Sequence, residues 1–471
     1  MKLNYKRTIL VGFAFFLITA FWQAYDSIVP LMLTNRFGLS QTASGIIMAL
    51  DNVFALFMLP LFGSLSDKSK SKYGKRTPFI LIGTICAIVT FITLTFIDNM
   101  QLARVSEDIR AMYPVGIEDP ALKEEMLKSV IAKTLEITYE NPLPLILFIA
   151  CLLLVLTAMA TFRSPAVALM PDVTLKPLRS KGNAIINLMG TAGGILVLLL
   201  GKVFKTSKNV YMTYTWYIIC VCAIMATGLA IFMLFVKEKA WNKEMLEKQA
   251  ELDKDAPPEE TVAETETKLP KKKLLSLLFI LASVALWFTG YNAVTTKFSL
   301  YATNILGQDF NTSLMVAQGA AIISYIPVGI VASKIGRKKT ILAGVAMLAT
   351  AFTGAIFIQA ATPPIIMYLM FALAGVAWAT INVNSFPMVV ELAKGSNIGK
   401  YTGYYYTASM AAQVITPVLS GFFMDKISYR SLFPYAAIFV ILSFVTMLFV
   451  KHGDSTPKKQ GALESLAGAD D

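Results

Sequence analysis

Pro60-Leu-Phe-Gly63-Ser-Leu-Ser-Asp67-Lys68-Ser-Lys-Ser-Lys-Tyr-Gly74-Lys75-Arg76 and Pro327-Val-Gly329-Ile-Val-Ala-Ser333-Lys334-Ile-Gly336-Arg337-Lys338-Lys339 are one punctuation written twice. Each closes an apolar run. Each sets a Gly four residues before an Asp or Ser at a helix end, then adds a Gly and two or more cations. A basic hairpin at matching places in both halves of an apolar chain marks an internal duplication. In duplicated membrane carriers the working site lies between the halves, near mid-membrane.

Composition supports this. Hydrophobic residues make up 56% of the chain and charged residues only 15%, with a mean hydropathy of +0.61, outside the range of soluble globular domains. Apolar runs long enough to cross a hydrocarbon layer of roughly 30 Å occupy 8–33, 42–65, 78–97, 143–170, 183–203, 213–236, 274–300, 311–332, 340–359, 364–389, 401–423 and 433–450. The expected fold is therefore an all-α polytopic membrane protein with about twelve transmembrane helices in two pseudo-symmetric six-helix halves. The expected division is a first half over 1–236, a linker over 237–273, a second half over 274–451 and a tail over 452–471. The first run is long, polar near its end and followed by no small-residue cleavage site, so it reads as a retained helix.

Lys and Arg set the orientation. With a cytoplasmic N-terminus, the short inner segments carry Lys2, Lys6, Arg7, Lys68, Lys70, Lys72, Lys75, Arg76, Lys176, Arg179, Lys181, Lys334, Arg337, Lys338, Lys339, Lys394 and Lys400. The short outer loops carry far fewer, and Lys202, Lys205 and Lys208 are the chief exceptions. Both termini come out cytoplasmic in a plasma-membrane protein. The net charge of +12 is then a matter of orientation toward the lipid bilayer, and no nucleic-acid partner is needed. Cys86, Cys151, Cys220 and Cys222 all fall in spans, too scattered for a metal site and misplaced for an extracellular disulfide framework.

Two soluble segments interrupt the pattern. Residues 98–141 mix both charges, with a rough helical stripe of Leu122, Met126, Val130 and Ala132 to Leu135 between Pro120 and Pro142. An inert connection is the expectation, and a short helix over the outer mouth the alternative. Residues 237–273, with Pro257-Pro258 and the run Glu259 to Glu266, read as a partly helical cytoplasmic linker. The polar tail reads as loose.

Polar residues inside spans carry the chemistry, because an ionised group at mid-membrane costs about 2.5–3.5 kcal/mol on the lenient insertion scale. Asp26 shares a helix face with Trp22 and Gln23, Asp51 lies near the middle of the second span, and Arg163 lies in the inner half of the fourth. These three invite pairing across neighbouring helices, whether as a coupling site or as a structural ion pair. Lys297, near the outer end of the seventh span, is expected to snorkel to the interface. The second half offers amides and aromatics: Trp287, Tyr291 and Asn292, then Gln318 with Tyr325, Trp378 with Asn382 and Ser385, and Tyr406 with Gln413. Amides beside aromatic plates suit a sugar, whose hydroxyls need hydrogen bonds and whose C–H faces stack on rings. Gly190, Gly193 and Gly194 would let another helix approach closely.

At these residues the chain resembles a known family. The run Gly63-Ser-Leu-Ser-Asp67-Lys68 through Gly74-Lys75-Arg76-Thr77-Pro78-Phe79 is similar to the signature of the major facilitator superfamily. Its lengthened form resembles the glycoside–pentoside–hexuronide:cation symporters and the sucrose-transporter-like group. Arg163-Ser-Pro165-Ala-Val-Ala-Leu-Met-Pro171-Asp172-Val-Thr174, with Arg179 and Asn183-Ala184, is similar to the fourth-to-fifth helix junction of the sucrose-like members. Asp26 resembles the sugar-binding acid of the first helix in melibiose-type members. The acids those members use for sodium fall on Leu59, Ala55 and roughly Arg163 here; this departure argues against a melibiose-type sodium site and makes a proton on Asp26 or Asp51 the simpler expectation for coupled transport.

The expected function is import of a glycoside or oligosaccharide by proton symport through alternating access, as a monomer without a cofactor. The expected substrate contacts are Trp22, Gln23, Asp26, Arg163, Trp287, Asn292, Gln318, Trp378, Asn382 and Gln413. Asp26 and Asp51 would carry the proton, and Gly63, Asp67, Arg76, Gly329 and Arg337 would hold the inner gate. The rivals are a lipid or amphiphile carrier or proton-driven exporter on the same scaffold and, more distantly, a sensor or membrane enzyme. A constellation such as His with Ser or Asp, which enzymatic work would need, is not found among the spans, and the one histidine, His452, lies in the tail.

Overall fold

The computed structural model describes residues 3–117, 119–175, 178–255, 271–391 and 398–452. Lys2, Lys176, Lys394, the Pro257-Pro258 linker segment and most of the tail lie outside the described residues. Among those residues the chain is helical and contains no strand. The first half comprises α1 (Tyr5–Asn35), α2 (Gln41–Asp67), α3 (Thr77–Arg104), the short α4 (Glu107–Ala111), α5 (Pro120–Glu140), α6 (Leu143–Val173), α7 (Arg179–Val203) and α8 (Thr215–Phe235). Next comes α9 (Glu238–Asp255), then α10 (Lys271–Leu300) with a π turn over Tyr301–Leu306. The second half continues with α11 (Phe310–Ile335), α12 (Arg337–Ile356), α13 (Pro364–Glu391), α14 (Ile398–Lys426) and α15 (Leu432–Leu448). All of these except α4, α5 and α9 are long and apolar enough to cross a membrane, twelve in all.

The helices begin and end where the residues dictate. Ser40 caps α2 by accepting from the Ala43 amide at 3.2 Å. Asp309 caps α11, accepting from the Asn311 and Thr312 amides, both at 3.2 Å. Gly336, at φ +90°, turns α11 into α12 through a single residue, a conformation glycine alone adopts freely. Pro30, Pro60, Pro165, Pro171, Pro327, Pro387 and Pro417 sit inside helices that continue through them, as neighbouring helices in a bundle permit.

The pairings repeat. Helix α1 packs on α7 and α8, α3 on α6 and α8, and α2 on α6; correspondingly α10 packs on α14 and α15, α12 on α13 and α15, and α11 on α13. The result is two six-helix bundles of matching plan, each with its own apolar core. An even number of crossings puts residues 3 and 452 on one side, here the terminal side; the opposite is the far side. Gly190, Gly193 and Gly194 admit α1 and its neighbours closely: a Cβ on Gly193 would meet the Phe16 carbonyl at 2.7 Å.

On the far side of the first half, Arg36 is fully buried and pairs with the buried Asp98 of α3. The same guanidinium donates to the Met212 carbonyl and lies 4.4 Å from the Tyr214 ring centroid. Removing one member of a buried pair leaves the other uncompensated, at a cost of about 3–5 kcal/mol. Asp98→Ala should therefore lower stability by that amount, read as a reduced melting temperature of detergent-solubilised protein. Asp98→Asn, which keeps an acceptor, should lose less.

The segment 98–141 is not an inert connection. Its C-terminal end is tied to the first half: Thr138 donates to the Phe37 carbonyl at 2.9 Å and accepts from Gln101 at 2.9 Å. The N-terminal part of α5 reaches the second half, where Glu124 accepts from the Ser428 hydroxyl at 2.5 Å and the Tyr429 amide at 3.3 Å. Leu127 and Ile131 belong to the apolar core of the second half. Burial, then the charge of Arg430, pushes the Lys123 pKa down. Helix α5 is thus a strap across both bundles, about 31 Å long at 1.5 Å per residue. The buried face is Lys123, Leu127, Val130, Ile131, Thr134 and Thr138, which shares only Val130 and Thr134 with the expected stripe. Leu122 is 46% exposed.

Helix α9 docks on the terminal side of the first half. Glu238 accepts from the amides of Lys75, Arg76 and Thr77 at 2.6–2.9 Å, placing a carboxylate on the N-terminus of α3. Asn242 donates to the Asp172 carbonyl at 2.5 Å and Arg7 to Glu244 at 2.6 Å. Hydrogen bonds from Lys248 and Arg7 hold the Glu244 carboxyl below its ordinary value.

Candidate functional site

The bundles meet on the far side and around the middle. Helix α2 packs on α14, α7 on α11 and α1 on α10. The bonds that join them cluster there: Asn35 with Asn304 at 2.7 Å, Ser207 with Asp309 at 2.8 Å, Asn311 with Thr206 at 3.1 Å, and the Gln41 and Thr42 amides to Asp425 at 2.8 and 2.7 Å. The chain is closed on the far side.

Two adjoining cavities lie between the bundles. The one toward the far side, about 300 Å³, is lined by Gln23 and Asp26 of α1, Tyr291 and Thr295 of α10, Gln318 and Tyr325 of α11, and Trp378 of α13. The other, about 190 Å³, is lined by Trp22, Asp26, Asp51, Asn52, Arg163, Asn292, Thr295, Thr296 and Gln413. Asp26 and Thr295 line both, so the two are lobes of one site with Asp26 at the junction.

The lobes differ in chemistry. In the far lobe the Tyr291 and Trp378 rings stack with centroids 3.6 Å apart and planes 7° apart, a flat apolar plate. Opposite, Gln318 donates to the Gln23 Oε1 at 2.6 Å, joining the bundles by an amide pair, and Gln23 donates on to Ser27 at 3.2 Å. The middle lobe gathers charge. Asp51 accepts from the Asn52 backbone and side-chain amides at 2.6 and 2.7 Å. The Arg163 guanidinium lies 5.7 Å from the Trp22 ring centroid. The Trp22 Nε1 and Asn292 Nδ2 donors are buried without a hydrogen-bond partner. Such donors, next to a polar cavity, are available to a ligand or water.

Of the expected contacts, the fold brings Trp22, Gln23, Asp26, Asp51, Arg163, Asn292, Gln318, Trp378 and Gln413 to these lobes. Two do not arrive. Trp287 is fully buried in the core of the second half, because its position on α10 faces the bundle interior. Asn382, 2% exposed, is buried within α13 packing. The aromatic that takes the place of Trp287 is Tyr291, one turn on, and Thr295 and Thr296 also line the site. Thr295 and Thr296, ordinary polar residues in a long helix, gave no signal, whereas Tyr291 was already grouped with Trp287 and Asn292 in the sequence.

Of the expected gate residues, Gly63, Asp67 and Arg76 make contacts inside the first half. Arg76 bonds Asp67, Ser66 and Asp172, the last at 2.8 Å, so it ties α2, α3 and α6 inside one half. Gly63 is the close approach of α2 to α6, where a Cβ would meet the Ser164 Oγ at 2.8 Å. In the second hairpin Gly329 and Arg337 are both buried, Arg337 at the start of α12. Lys297 does not snorkel. It is fully buried, nine residues or about 14 Å short of the far end of its span at Leu306. The π turn lengthens the helix beyond it, and Lys297 donates to the Gln41 carbonyl at 2.8 Å.

The chain matches the family described as Major Facilitator Superfamily over residues 11–393 and 313–468. It is 23% identical over 454 residues to an uncharacterised MFS-type transporter of Methanocaldococcus jannaschii, covering 94% of this chain and 95% of that one. Among solved structures it resembles a bacterial homologue of the iron transporter ferroportin in an inward-facing state, with a TM-score of 0.64, 11% identity, and 96% and 100% of the two chains covered. It also resembles the inward-open xylose transporter XylE from E. coli, with a TM-score of 0.62, 14% identity, and 98% and 99% covered.

Proposed function

The chain belongs to the major facilitator superfamily, and from that premise we propose that this membrane transporter imports a glycoside or oligosaccharide by proton symport through alternating access. Within the superfamily the reading assigns it to the glycoside–pentoside–hexuronide or sucrose-like group. The carrying observation is Asp26. One carboxylate lines both a lobe built of an aromatic plate and amides and a lobe that holds a second acid and an arginine. The plate of Tyr291 and Trp378 would stack a pyranose face, and the amides of Gln23, Gln318, Asn292 and Gln413 would take its hydroxyls. A neighbour in fold carries xylose, which agrees with a polyol cargo.

Lys and Arg placement supports a cytoplasmic terminal side, and on this reading the membrane is the plasma membrane. The described state, closed on the far side, is then the inward-facing one. A proton taken up by Asp26 or Asp51 from outside would free Arg163 from its role as counter-ion and favour the loaded form. Release inside would restore that pairing. The coupling ion is a proton, no other cofactor takes part, and the unit is a monomer.

The test is uptake by proteoliposomes of labelled mono-, di- and trisaccharides with and without an inward proton gradient. Gradient-driven accumulation of one sugar is the expected result, whereas equilibration alone would make the chain a facilitator. If no sugar moves from folded protein, the cargo class is wrong.

A further inference from the structure

Lys297 is a fully buried cation in a membrane helix, yet it forms no ion pair with a described residue. Its two hydrogen bonds go to neutral groups of one residue across the bundle interface, the Gln41 carbonyl at 2.8 Å and the Gln41 Oε1 at 3.4 Å. The carboxylate whose charge acts on it is Asp425. Asp425 is engaged on the other end of the same Gln41. It accepts from the Gln41 amide at 2.8 Å, the Thr42 amide at 2.7 Å and the Thr42 hydroxyl at 2.6 Å, capping the N-terminus of α2.

Gln41 thus stands between a cation and an anion that both belong to the second half. Lys297 is on α10 and Asp425 on α14, two helices that pack on each other within their bundle. Opening the far side carries α2 away with the first half. That movement strips both charges of their partners at once. A buried unpaired cation and a buried unpaired carboxylate are each costly in a membrane protein, and these two sit on helices packed against each other.

We propose that Lys297 and Asp425 are a partner-exchange pair. With the far side closed they hold the start of α2, Lys297 at the Gln41 oxygens and Asp425 at the Gln41 and Thr42 amides, and with the far side open they bind each other. The exchange gives each charge a hydrogen-bonded partner in both states, so neither end of the cycle becomes a trap. Lys297 is a positioning residue, since it touches neither lobe of the site. The inference rests on the alternating-access reading, though not on the cargo or on the proton.

The prediction has a sign that a plain lock does not share. If Lys297 served only to hold the far side closed, removing it would favour opening. In partner exchange the closed state loses two hydrogen bonds to the neutral oxygens of Gln41. The open state loses an ion pair and is left with a bare carboxylate. Removal should therefore favour closure.

The experiment uses the full chain with its four cysteines replaced and a reporter cysteine, Ser299→Cys, a residue lining the far lobe and 3% exposed in the closed state. Labelling by an impermeant maleimide added from the far side of right-side-out vesicles reads the open population. Lys297→Met, close in shape, should lower the labelling rate at least about fivefold, the lower edge of conformational coupling energies. The exchanged double variant, Lys297→Asp with Asp425→Lys, should raise it above the parent. It retains the open-state pair but sets an anion against the Gln41 carbonyl and a cation against the α2 N-terminus. Faster or unchanged labelling in Lys297→Met, with yield and melting temperature preserved, would overturn the proposal. If the reporter is never labelled, even when Gly45→Leu forces the far-side interface apart, alternating access itself fails and the functional reading falls with it.

Discussion

Asp26→Asn should abolish uphill accumulation while leaving the carrier able to exchange substrate. The amide keeps the shape and hydrogen-bonding of a protonated carboxyl, so the fold and both lobes of the site should persist. What is lost is the change of charge that lets a proton bias one state over the other. A coupling free energy of about 1–3 kcal/mol corresponds to about a 5- to 150-fold change in population or affinity. Gradient-driven accumulation should fall by a factor in that range, toward simple equilibration, whereas counterflow between two substrate pools should survive. Asp51→Asn is the necessary companion. Asp51 sits in the same lobe as Asp26 and Arg163, with its carboxylate held by the amides of Asn52. The variant that loses accumulation but retains counterflow marks the titrating acid. A variant that loses both marks the structural partner. If both variants concentrate substrate at the parental rate, proton coupling through this pair is wrong.

The reason these acids stood out in sequence is also the reason other residues did not. Asp26, Asp51 and Arg163 interrupt apolar runs, and the cost of an ion in lipid makes any such interruption conspicuous. The twelve spans were legible on the same principle, because hydropathy over some twenty residues outweighs local detail. Lys297 was misread because position along a run does not reveal how far the helix continues. The π turn over Tyr301–Leu306 extends the span and moves the lysine from its edge to its interior. The strap α5 was half legible. A helical period was visible between Pro120 and Pro142, but with apolar and polar residues interleaved the register was ambiguous. Threonines and a lysine, Thr134, Thr138 and Lys123, occupy the buried face. Arg36 and Asp98 looked like loop residues, and only tertiary structure pairs them. Trp287 and Tyr291 lie one turn apart on α10, and sequence could not say which of two aromatics faces a cavity and which a core.

The far-side interface carries the second large effect, and it turns on two glycines. Helices α2 and α14 belong to different bundles and meet with their backbones nearly touching. A Cβ on Gly45 would stand 2.1 Å from the Pro417 carbonyl oxygen, and one on Gly421 would stand 2.3 Å from that of Gln41. Both obstacles are backbone, so neither can rotate away. Restoring ordinary contact at about 3.5 Å would demand more than about 1 Å of separation between the helices. Overpacking of this kind costs about 1–3 kcal/mol, and here the chain has an escape that a soluble core lacks. In the far-open state the two helices part, and the added side chain meets nothing. The strain therefore falls on the closed state alone and should move the equilibrium about 5- to 150-fold toward opening. Gly45→Leu and Gly421→Leu should each increase far-side maleimide labelling of the Ser299→Cys reporter by that order, slow transport, and leave melting temperature little changed. Gly319→Ala, where a Cβ would meet nothing within 4 Å, should leave labelling unaltered. Should Gly45→Leu instead unfold the protein without exposing the reporter, the α2–α14 contact is part of a permanent core, and the bundles do not separate there.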